Sequence, residues 1–342
     1  MLHALKLQKQ KQLYRALKLP QYKIDFFSND YLGLARNQAF KERCEEERAS
    51  LPPGSTGSRL LSGNSAYAEQ FEEELAKGQG FEAALLFQSG YLANLALLSA
   101  LLEREDVLLF DQEVHASMRD GIRLSKGTSY PYRHLDLNHL EERLRKIYCK
   151  GERYIATESL FSTDGRCTNL QDLTYLANKY EAKLILDEAH TFGVMDCHQT
   201  LPKAFFAVLI TFSKALGSQG AAILSSKLLK EYLLNFSRPC LYSTFISPHQ
   251  IAAMRTAYKM LPELEKERNS INHLKERSNA ESHILILPQN SPEETMQEQA
   301  RLLEQGIAVA ALRPPTVRKG KECLRISLHA FNTEEELKLL YG

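Results

Sequence analysis

The sequence predicts an α/β protein with a mostly parallel sheet covered by helices, followed by a smaller α+β region. Short apolar runs of strand length alternate with amphipathic stretches of helix length between residues 83 and 214. Glycine-rich or polar turns separate the two kinds of segment. From about residue 248 the pattern changes to long charged helices and a few short strands. These three observations favour two domains of unequal size.

The first 35 residues are expected to form an arm. Leucines fall roughly on one face of a basic stretch over residues 1–20, which predicts an amphipathic helix. The stretch IDFFSNDYLGLARN then predicts a short strand that ends where Asn29, Asp30 and Gly33 favour a turn. We expect the arm to pack on the body of the protein or on a partner subunit.

The segments after the arm are assigned in chain order from their apolar period, length and flanking turns. In the large domain, residues 36–262, they are helix 66–80, strand 83–87, helix 91–106, strand 107–111, helix 115–127, strand 153–159, helix 169–182, and strands 183–190 and 207–214. In the small domain, residues 263–342, they are strand 282–288, helix 292–305, strands 307–316 and 323–330, and helix 333–342.

Composition excludes several classes of function. Hydrophobic residues make up 44% of the 342 residues, and 43 basic residues balance 42 acidic ones. This balance gives no support for a broad surface that binds nucleic acid or membranes. The six cysteines are scattered without a CxxC pair, which argues against a zinc ribbon. With no apolar run of membrane-spanning length, we expect a cytoplasmic protein with reduced thiols.

An acidic residue and a lysine follow two successive predicted strands. KLILDEAH ends its strand at Asp187 and has His190 three residues later, whereas AVLITFSK carries Lys214 at its end. If these strands are adjacent and parallel, their ends meet at the edge where open α/β sheets bind ligands. Taken alone, each segment also allows a solvated strand-end acid or a surface lysine.

The letters DEAH also occur in nucleotide-hydrolysing proteins. That chemistry needs a phosphate loop of the form GxxxxGK[ST], and the chain contains none. Two interpretations of Asp187 remain at this point, a carboxylate that binds a charged ligand atom and a solvated acid at the end of a strand.

A lysine and an acid in one pocket suit pyridoxal phosphate (PLP). A desolvated lysine is more readily neutral, and a neutral amine forms Schiff bases. PLP also needs an acidic partner for its ring nitrogen. LLFQSGYLANLALL offers an anion site, because a Ser89–Gly90 turn leads into a helix near Tyr91. The hydroxyls of Thr211 and Ser213 add possible donors.

Seven motifs resemble the α-oxoamine synthases, a family of aspartate-aminotransferase-like PLP fold type I. They cover nearly the whole chain and occur in the family's order: Ser28–Leu34, Gly54–Asn64, Phe87–Asn94, His115–Ser117, Phe161–Gly165, Asp187–Gly193 and Thr211–Gly217. The resemblance implies a large domain with a mostly parallel seven-stranded sheet and a small α+β C-terminal domain.

The resemblance also implies roles around the cofactor ring. Lys214 would bind PLP covalently, and Asp187 would pair with the protonated ring nitrogen. His115 would stack on the ring face. Ser162 and His190 would hydrogen-bond around the phenolic oxygen, and His190 or Lys214 would assist the return of a proton to the product.

Further roles concern the cofactor phosphate. The backbone at Gly90 and Tyr91, with the hydroxyl of Thr211, would hold this phosphate. Thr244, in YSTFISP, would reach the phosphate of a neighbouring subunit's cofactor. The resemblance therefore implies a homodimer with shared active sites.

The remaining roles concern substrates. Asn29 and Arg325 would face the amino acid, with Arg325 clamping its carboxylate, and His115 would also contact substrate. Thr316, in LRPPTV, would line the acyl-chain site. Arg15 is the nearest counterpart of the family's arginine for the acyl substrate.

The reaction that the resemblance implies is a decarboxylative condensation of an amino acid with an acyl thioester. LRPPTV is most similar to family members that join L-alanine to pimeloyl-CoA, or to pimeloyl carried on acyl carrier protein, in biotin biosynthesis. One alternative is a sister synthase that uses glycine or serine with another acyl-CoA. The other is a non-catalytic subunit of the same fold, which we disfavour because the chain keeps Asp187, His190 and Lys214.

Overall fold

The structure, a computed structural model, describes residues 1–10, 13–17, 19, 21–195, 197–201 and 203–340. The chain forms two compact units. The larger unit comprises Gly33–Phe161 and Cys167–Leu264, and the smaller one comprises Met1–Leu32, Ser162–Arg166 and Glu265–Gly342.

Strands and helices are numbered in chain order. The strands are β1 (Ile24–Phe26), β2 (Ala83–Phe87), β3 (Val107–Asp111), β4 (Thr128–Tyr132), β5 (Arg153–Glu158), β6 (Ala182–Asp187), β7 (Ala207–Thr211), β8 (Ala221–Ser225), β9 (Ile284–Pro288), β10 (Ile307–Leu312) and β11 (Cys323–Ser327). The α-helices are α1 (Leu2–Gln10), α2 (Gln38–Arg48), α3 (Ala66–Gly78), α4 (Gly90–Leu101), α5 (Ala116–Leu124), α6 (Leu137–Lys146), α7 (Leu170–Lys179), α8 (Lys227–Phe236), α9 (Arg238–Tyr242), α10 (Pro248–Met260), α11 (Glu265–Arg277), α12 (Pro292–Glu304) and α13 (Glu334–Lys338). Within the described part of the chain, none of these helices has the length and apolarity to cross a bilayer.

The larger unit contains a seven-stranded sheet in the order β2-β8-β7-β6-β5-β3-β4. β8 is antiparallel to both of its neighbours, and the other pairs are parallel, so the predicted mostly parallel sheet is confirmed. Because β8 lies between them, β2 and β7 run in the same direction. Their carboxyl ends therefore reach the same edge of the sheet as those of β5 and β6.

Two strands of this sheet were not assigned from the sequence. β8 follows β7 after a turn of small residues and pairs back on it, a connection that strand-helix alternation does not suggest. β4 lies at the sheet edge, is mostly accessible and contains Pro131, so it lacks the apolar signal of a central strand.

Helix α4 is placed by its almost uniformly apolar surface. It packs against α5 and against β2, β7 and β8, and Leu97, Leu98 and Met118 are fully buried there. A helix buried on most sides is held firmly by its neighbours. The turn after β2 consequently fixes the start of α4 at the carboxyl edge of the sheet.

The smaller unit contains the sheet β1-β10-β11-β9. β1 is parallel to β10, and β11 is antiparallel to β10 and β9. The first segment of the chain thus adds an edge strand to a sheet made by the last one. α1 ends at Gln10, well before the end of the helix predicted over residues 1–20. The helix predicted over 333–342 begins as expected, but Tyr341 and Gly342 lie outside the described residues.

A buried ion pair holds the glycine-rich segment 54–64 in the larger unit. Arg59, 6% exposed, donates from Nη2 to Oε2 of Glu72 at 2.7 Å, and its guanidinium lies 4.8 Å from the Phe245 ring centre. Glu72 is fully buried and also accepts from Leu86 N at 2.9 Å and Lys230 Nζ at 2.7 Å. Removing one partner of such a pair leaves a buried charge poorly compensated.

We therefore expect Arg59→Ala to lower the free energy of unfolding by about 3 kcal/mol, the lower end of the usual range because Lys230 still pairs with Glu72. Urea denaturation of the two proteins measures this difference. Arg43→Ala is the control, because it removes an exposed pair with Glu263 and should leave the unfolding midpoint close to that of the wild type. Equal midpoints for the two variants would contradict the anchoring role.

Candidate active site

Asp187 ends β6 in the larger unit. It is 4% exposed, because the preceding apolar residues bury the strand and bring its last side chain to the inner part of the sheet edge. Its Oδ2 accepts a hydrogen bond from Asn94 Nδ2 at 2.6 Å, and its Oδ1 accepts one from Ala189 N at 2.8 Å. Donors on both oxygens stabilise an ionised carboxylate.

Lys214 lies three residues beyond the end of β7, which is the parallel neighbour of β6. The turn that carries it closes with a hydrogen bond from Gly217 N to Lys214 O at 3.0 Å. Gly217 has a φ of 57°, and a Cβ there would come within 2.3 Å of Ala35 N, so this turn requires glycine. Lys214 is half-buried, and its charge alters the pKa values of His115 and Glu158. The strand ends thus bring Lys214 into the same group as Asp187, as predicted from their neighbouring strands.

His115 precedes α5 and caps its first turn. Its Nδ1 accepts from Ser117 N at 3.3 Å and lies 2.7 Å from Ser117 Oγ. Because Nδ1 accepts the Ser117 N–H, it carries no proton and can also accept the hydrogen of Ser117 Oγ, which itself accepts from Asn94 Nδ2 at 3.0 Å. Partial burial lowers the pKa of His115 most, Asp187 opposes that change and Lys214 adds to it, which agrees with a neutral ring protonated on Nε2.

The start of α4 lies next to the end of β7. Ser89 caps this helix by accepting from Leu92 N at 3.3 Å, and the backbone N–H groups of the first turn have no partner within the helix. A Cβ on Gly90 would lie 3.9 Å from Thr211 Oγ1, so that hydroxyl is close to the helix start. Thr211 Oγ1 donates to Gly220 O at 2.9 Å. The predicted phosphate-binding residues of this unit therefore lie together.

Sequence reasoning missed Glu158 and Asn94. Glu158 ends β5 as Asp187 ends β6, and its Oε1 accepts from His115 N at 2.6 Å. The strand-end pattern that indicated Asp187 could have indicated Glu158 as well. Asn94 is a buried polar residue in an otherwise apolar helix, which is the signal that could have identified it.

The other predicted residues of the larger unit are His190 and Thr244. His190 is buried in the turn that follows Asp187. Thr244 is exposed and forms an isolated antiparallel bridge with Ser58. The role predicted for Thr244 towards a second subunit remains a proposal.

Asn29 and Arg325 contact each other in the smaller unit, to which Ser162 also belongs. Arg325 Nη2 donates to Asn29 Oδ1 at 2.6 Å and to Ser327 Oγ at 3.2 Å. Arg325 Nε is buried and has no hydrogen-bond partner, and no carboxylate in the described ranges pairs with this guanidinium. An arginine held by neutral groups with a donor left over is suited to bind a carboxylate ligand.

Thr316 contacts the N-terminal arm in the smaller unit. Its Oγ1 accepts from Arg15 Nη2 at 2.8 Å, and Arg313 Nη2 donates to Tyr14 O at 3.2 Å. The structure therefore brings together the two residues that were predicted separately for the acyl substrate.

The donors and acceptors of the larger unit fit PLP. Asp187 offers a stabilised carboxylate to a protonated ring nitrogen, and Asn94 Oδ1 beside it is buried without a partner. His115 offers a neutral ring, and Lys214 offers an amine. The start of α4 offers backbone N–H donors to a phosphate, and the Thr211 side chain lies beside it.

Comparison with known proteins gives the following matches. Residues 21–341 match the aminotransferase class I and II family. The chain is 36% identical to the 8-amino-7-oxononanoate synthase of Hydrogenovibrio crunogenus over 338 residues, which are 93% of this chain and 85% of that protein. The crystal structure of the Francisella tularensis 8-amino-7-oxononanoate synthase is similar with a TM-score of 0.77 and 29% identity, over 93% of this chain and 95% of that one. Sphingomonas wittichii serine palmitoyltransferase is similar with a TM-score of 0.87 and 25% identity, over 92% and 85%.

Proposed function

Because the chain belongs to the aminotransferase class I and II family and is a PLP-dependent acyltransferase like the 8-amino-7-oxononanoate synthases, we propose that it condenses L-alanine with a pimeloyl thioester. The products would be 8-amino-7-oxononanoate, CO2 and the free thiol, in biotin biosynthesis. The observation that carries this proposal is the grouping of Asp187, His115 and Lys214 at the carboxyl edge of the sheet.

The chain's own residues would act as follows. Bound PLP supplies an electron sink for the carbanion that attacks the thioester. Lys214 Nζ would hold the cofactor before reaction and then take the α-proton of alanine. Asp187 would keep the proton on the ring nitrogen, which makes the sink effective. His115 would cover one ring face with its neutral imidazole, and Ser162 and His190 would bind near the phenolic oxygen.

Arg325 and Asn29 are proposed to bind the alanine carboxylate. The unused Nε donor of Arg325 and the absence of a carboxylate partner in the described ranges support this role. We expect Arg325→Ala to raise the KM for alanine at least about 30-fold and to change the KM for the acyl thioester little, because the lost contact is with the amino acid alone.

Steady-state kinetics with each substrate varied in turn measure this effect. Arg301→Ala is the matched control in the same unit, because Arg301 is exposed and pairs with Glu298. Arg325→Lys should restore only part of the affinity, since lysine cannot make a bidentate contact. An unchanged KM for alanine in Arg325→Ala would contradict the role.

The acyl site and the subunit contacts are further parts of the proposal. A pimeloyl chain ends in a carboxylate, and the hydrogen-bonded pair of Thr316 and Arg15 offers it a hydroxyl and a guanidinium. We propose a cytoplasmic homodimer in which Thr244 reaches the partner's cofactor, with no nucleic-acid or membrane partner. Light scattering of the purified protein tests the dimer.

One assay tests the reaction. The PLP-loaded protein is mixed with L-alanine and pimeloyl-CoA, and both thiol release and the mass of the oxononanoate product are followed. Pimeloyl on acyl carrier protein forms a second arm, and the faster donor identifies the acyl carrier. Thiol release must depend on alanine for the proposal to stand.

The similarity to a serine palmitoyltransferase structure supports one second candidate, a sister synthase for glycine or serine. The same assay with glycine or L-serine and a long-chain or short-chain acyl-CoA distinguishes the two. Thiol release with these substrates and none with alanine would favour the sister synthase.

A further inference from the structure

Two buried acids lie side by side at the ends of neighbouring strands. Glu158 of β5 is the register partner of Asp187 of β6, and the two residues are 5% and 4% exposed. Paired residues of parallel strands project to the same face, and neighbouring strands are about 4.8 Å apart. Two buried carboxyl groups on adjacent strands repel each other when both are ionised, which favours a proton on one of them.

The hydrogen bonds indicate which acid carries the negative charge. Asp187 accepts a donor on each carboxylate oxygen, from Asn94 Nδ2 and Ala189 N. In the described chain the carboxyl group of Glu158 accepts one hydrogen bond, from His115 N. The anion is therefore better stabilised on Asp187, and the proton belongs on Glu158.

Glu158 also closes a ring of contacts around the site. Its Oε1 holds the backbone of His115, whose ring contacts Ser117 Oγ at 2.7 Å. Asn94 Nδ2 then joins Ser117 Oγ to Asp187 Oδ2. The same five residues thus fix the ring of His115 and the charge of Asp187 relative to each other.

We propose that Glu158 is a positioning residue that acts as a neutral carboxylic acid, tethering His115 while leaving the single negative charge on Asp187. It deepens the proposed function, because it concerns how this chain prepares His115 and Asp187 for PLP. Neutral Glu158 accepts the His115 N–H without competing with Asp187 for the protonated ring nitrogen.

Charges on every neighbouring element act on Glu158. Burial raises its pKa well above the ordinary value of 4.5, Asp187 on β6 and Asp111 on β3 raise it further, and Lys214 after β7 and the His115 N–H lower it. A raised pKa means that the folded protein holds a proton that the unfolded chain releases. Glu158 therefore stabilises the folded state fully at a pH below the ordinary glutamate pKa. This stabilisation is lost as the pH rises through the pKa that Glu158 has in the folded protein.

Glu72 provides a matched comparison in the same unit. It is also a buried glutamate whose Oε1 accepts a backbone N–H, from Leu86 at 2.9 Å. In contrast to Glu158, it pairs with Arg59 and Lys230, two cations that favour a charged carboxylate. A glutamine, neutral and of the same shape, should therefore replace Glu158 but not Glu72.

Urea unfolding of the full chain, with and without PLP, between about pH 5.5 and pH 8.5 tests the proposal on wild type, Glu158→Gln, Glu158→Ala and Glu72→Gln. As the pH is raised, we expect the folded-to-unfolded ratio of the wild type to fall relative to that of Glu158→Gln, by up to about tenfold for each pH unit. Glu72→Gln should lose stability at every pH. PLP affinity and the absorbance of bound PLP should be nearly unchanged in Glu158→Gln, whereas Glu158→Ala should bind PLP at least about tenfold more weakly.

Two results would overturn the proposal. Loss of stability in Glu158→Gln comparable to that in Glu72→Gln would mean that Glu158 is ionised. Equal PLP affinity in Glu158→Ala and Glu158→Gln would mean that the tether to His115 positions nothing. If Glu158→Ala does not fold, the pH comparison with Glu158→Gln still decides. None of these measurements uses alanine or a thioester, so their failure is distinct from a failure of the proposed reaction.

Discussion

Lys214→Ala is expected to bind PLP without a covalent bond and to lower the rate of condensation by at least about 10⁴-fold. The variant removes Lys214 Nζ, the atom that we propose both holds the cofactor and accepts the α-proton of alanine. Loss of a base alone typically costs about 10² to 10⁴ in rate, and loss of covalent attachment adds to it. Asp187, His115 and the start of α4 stay in place, so PLP should still bind.

Two measurements check this expectation. Borohydride treatment followed by mass spectrometry should add the cofactor mass to the wild type and not to Lys214→Ala. Thiol release from pimeloyl-CoA with alanine should fall as stated. Lys183→Ala is the control, because Lys183 is an accessible lysine at the start of β6 that pairs with Glu152. Covalent labelling of the Lys214→Ala protein would show that another residue carries the cofactor.

The parts of the site that could be predicted from the sequence are those that follow a local rule. Asp187 and Lys214 each come after an apolar run of strand length, and adjacent parallel strands necessarily bring such residues to one edge. Gly90 and Thr211 also lie at the carboxyl ends of strands, and they meet at one edge because β2 and β7 run in the same direction. The mostly parallel sheet was predictable because strand-length and helix-length segments alternate along the chain.

The remaining features depend on contacts between distant segments. Asn94 and Asp187 are 93 positions apart in sequence, and their hydrogen bond requires α4 to be seated on the sheet. Strand β8 depends on pairing with both β2 and β7, so its own composition does not predict its direction. The contact of Arg15 with Thr316 joins segments from the two ends of the chain. Arg15 lies beyond the end of α1 at Gln10, so the helix predicted over residues 1–20 did not indicate this contact.

Glu158 shows a different limit. Its position at the end of β5 is as visible in the sequence as that of Asp187, but its protonation state is not. That state follows from the register between β5 and β6 and from the unequal number of donors on the two carboxyl groups. Sequence reasoning can therefore place an acid at the edge without assigning its charge.

Asp187→Asn is the second large expected effect, with a loss of at least about 10³-fold in kcat/KM for alanine. Asparagine keeps the size of the side chain but removes the charge that would hold a proton on the cofactor nitrogen. It also offers one acceptor where Asp187 offers two, so one of the donors from Asn94 and Ala189 loses its partner. The measured quantities are kcat/KM for alanine and the absorbance of bound PLP.

The sharpest control for Asp187→Asn is Glu158→Gln, which makes the same chemical change one strand away. If the negative charge of the pair resides on Asp187, the amide should cause this large loss of activity at position 187 and be tolerated at position 158. If the charge resided on Glu158, the two variants would exchange behaviours, because Asp187→Asn would then only replace a neutral acid with a neutral amide. Comparable losses in both variants would mean that the two carboxyl groups share the charge, and the assignment of Asp187 as the sole anion would be wrong. The comparison is decisive because Glu158 and Asp187 are register partners on adjacent strands. Both substitutions therefore change the same edge of the sheet.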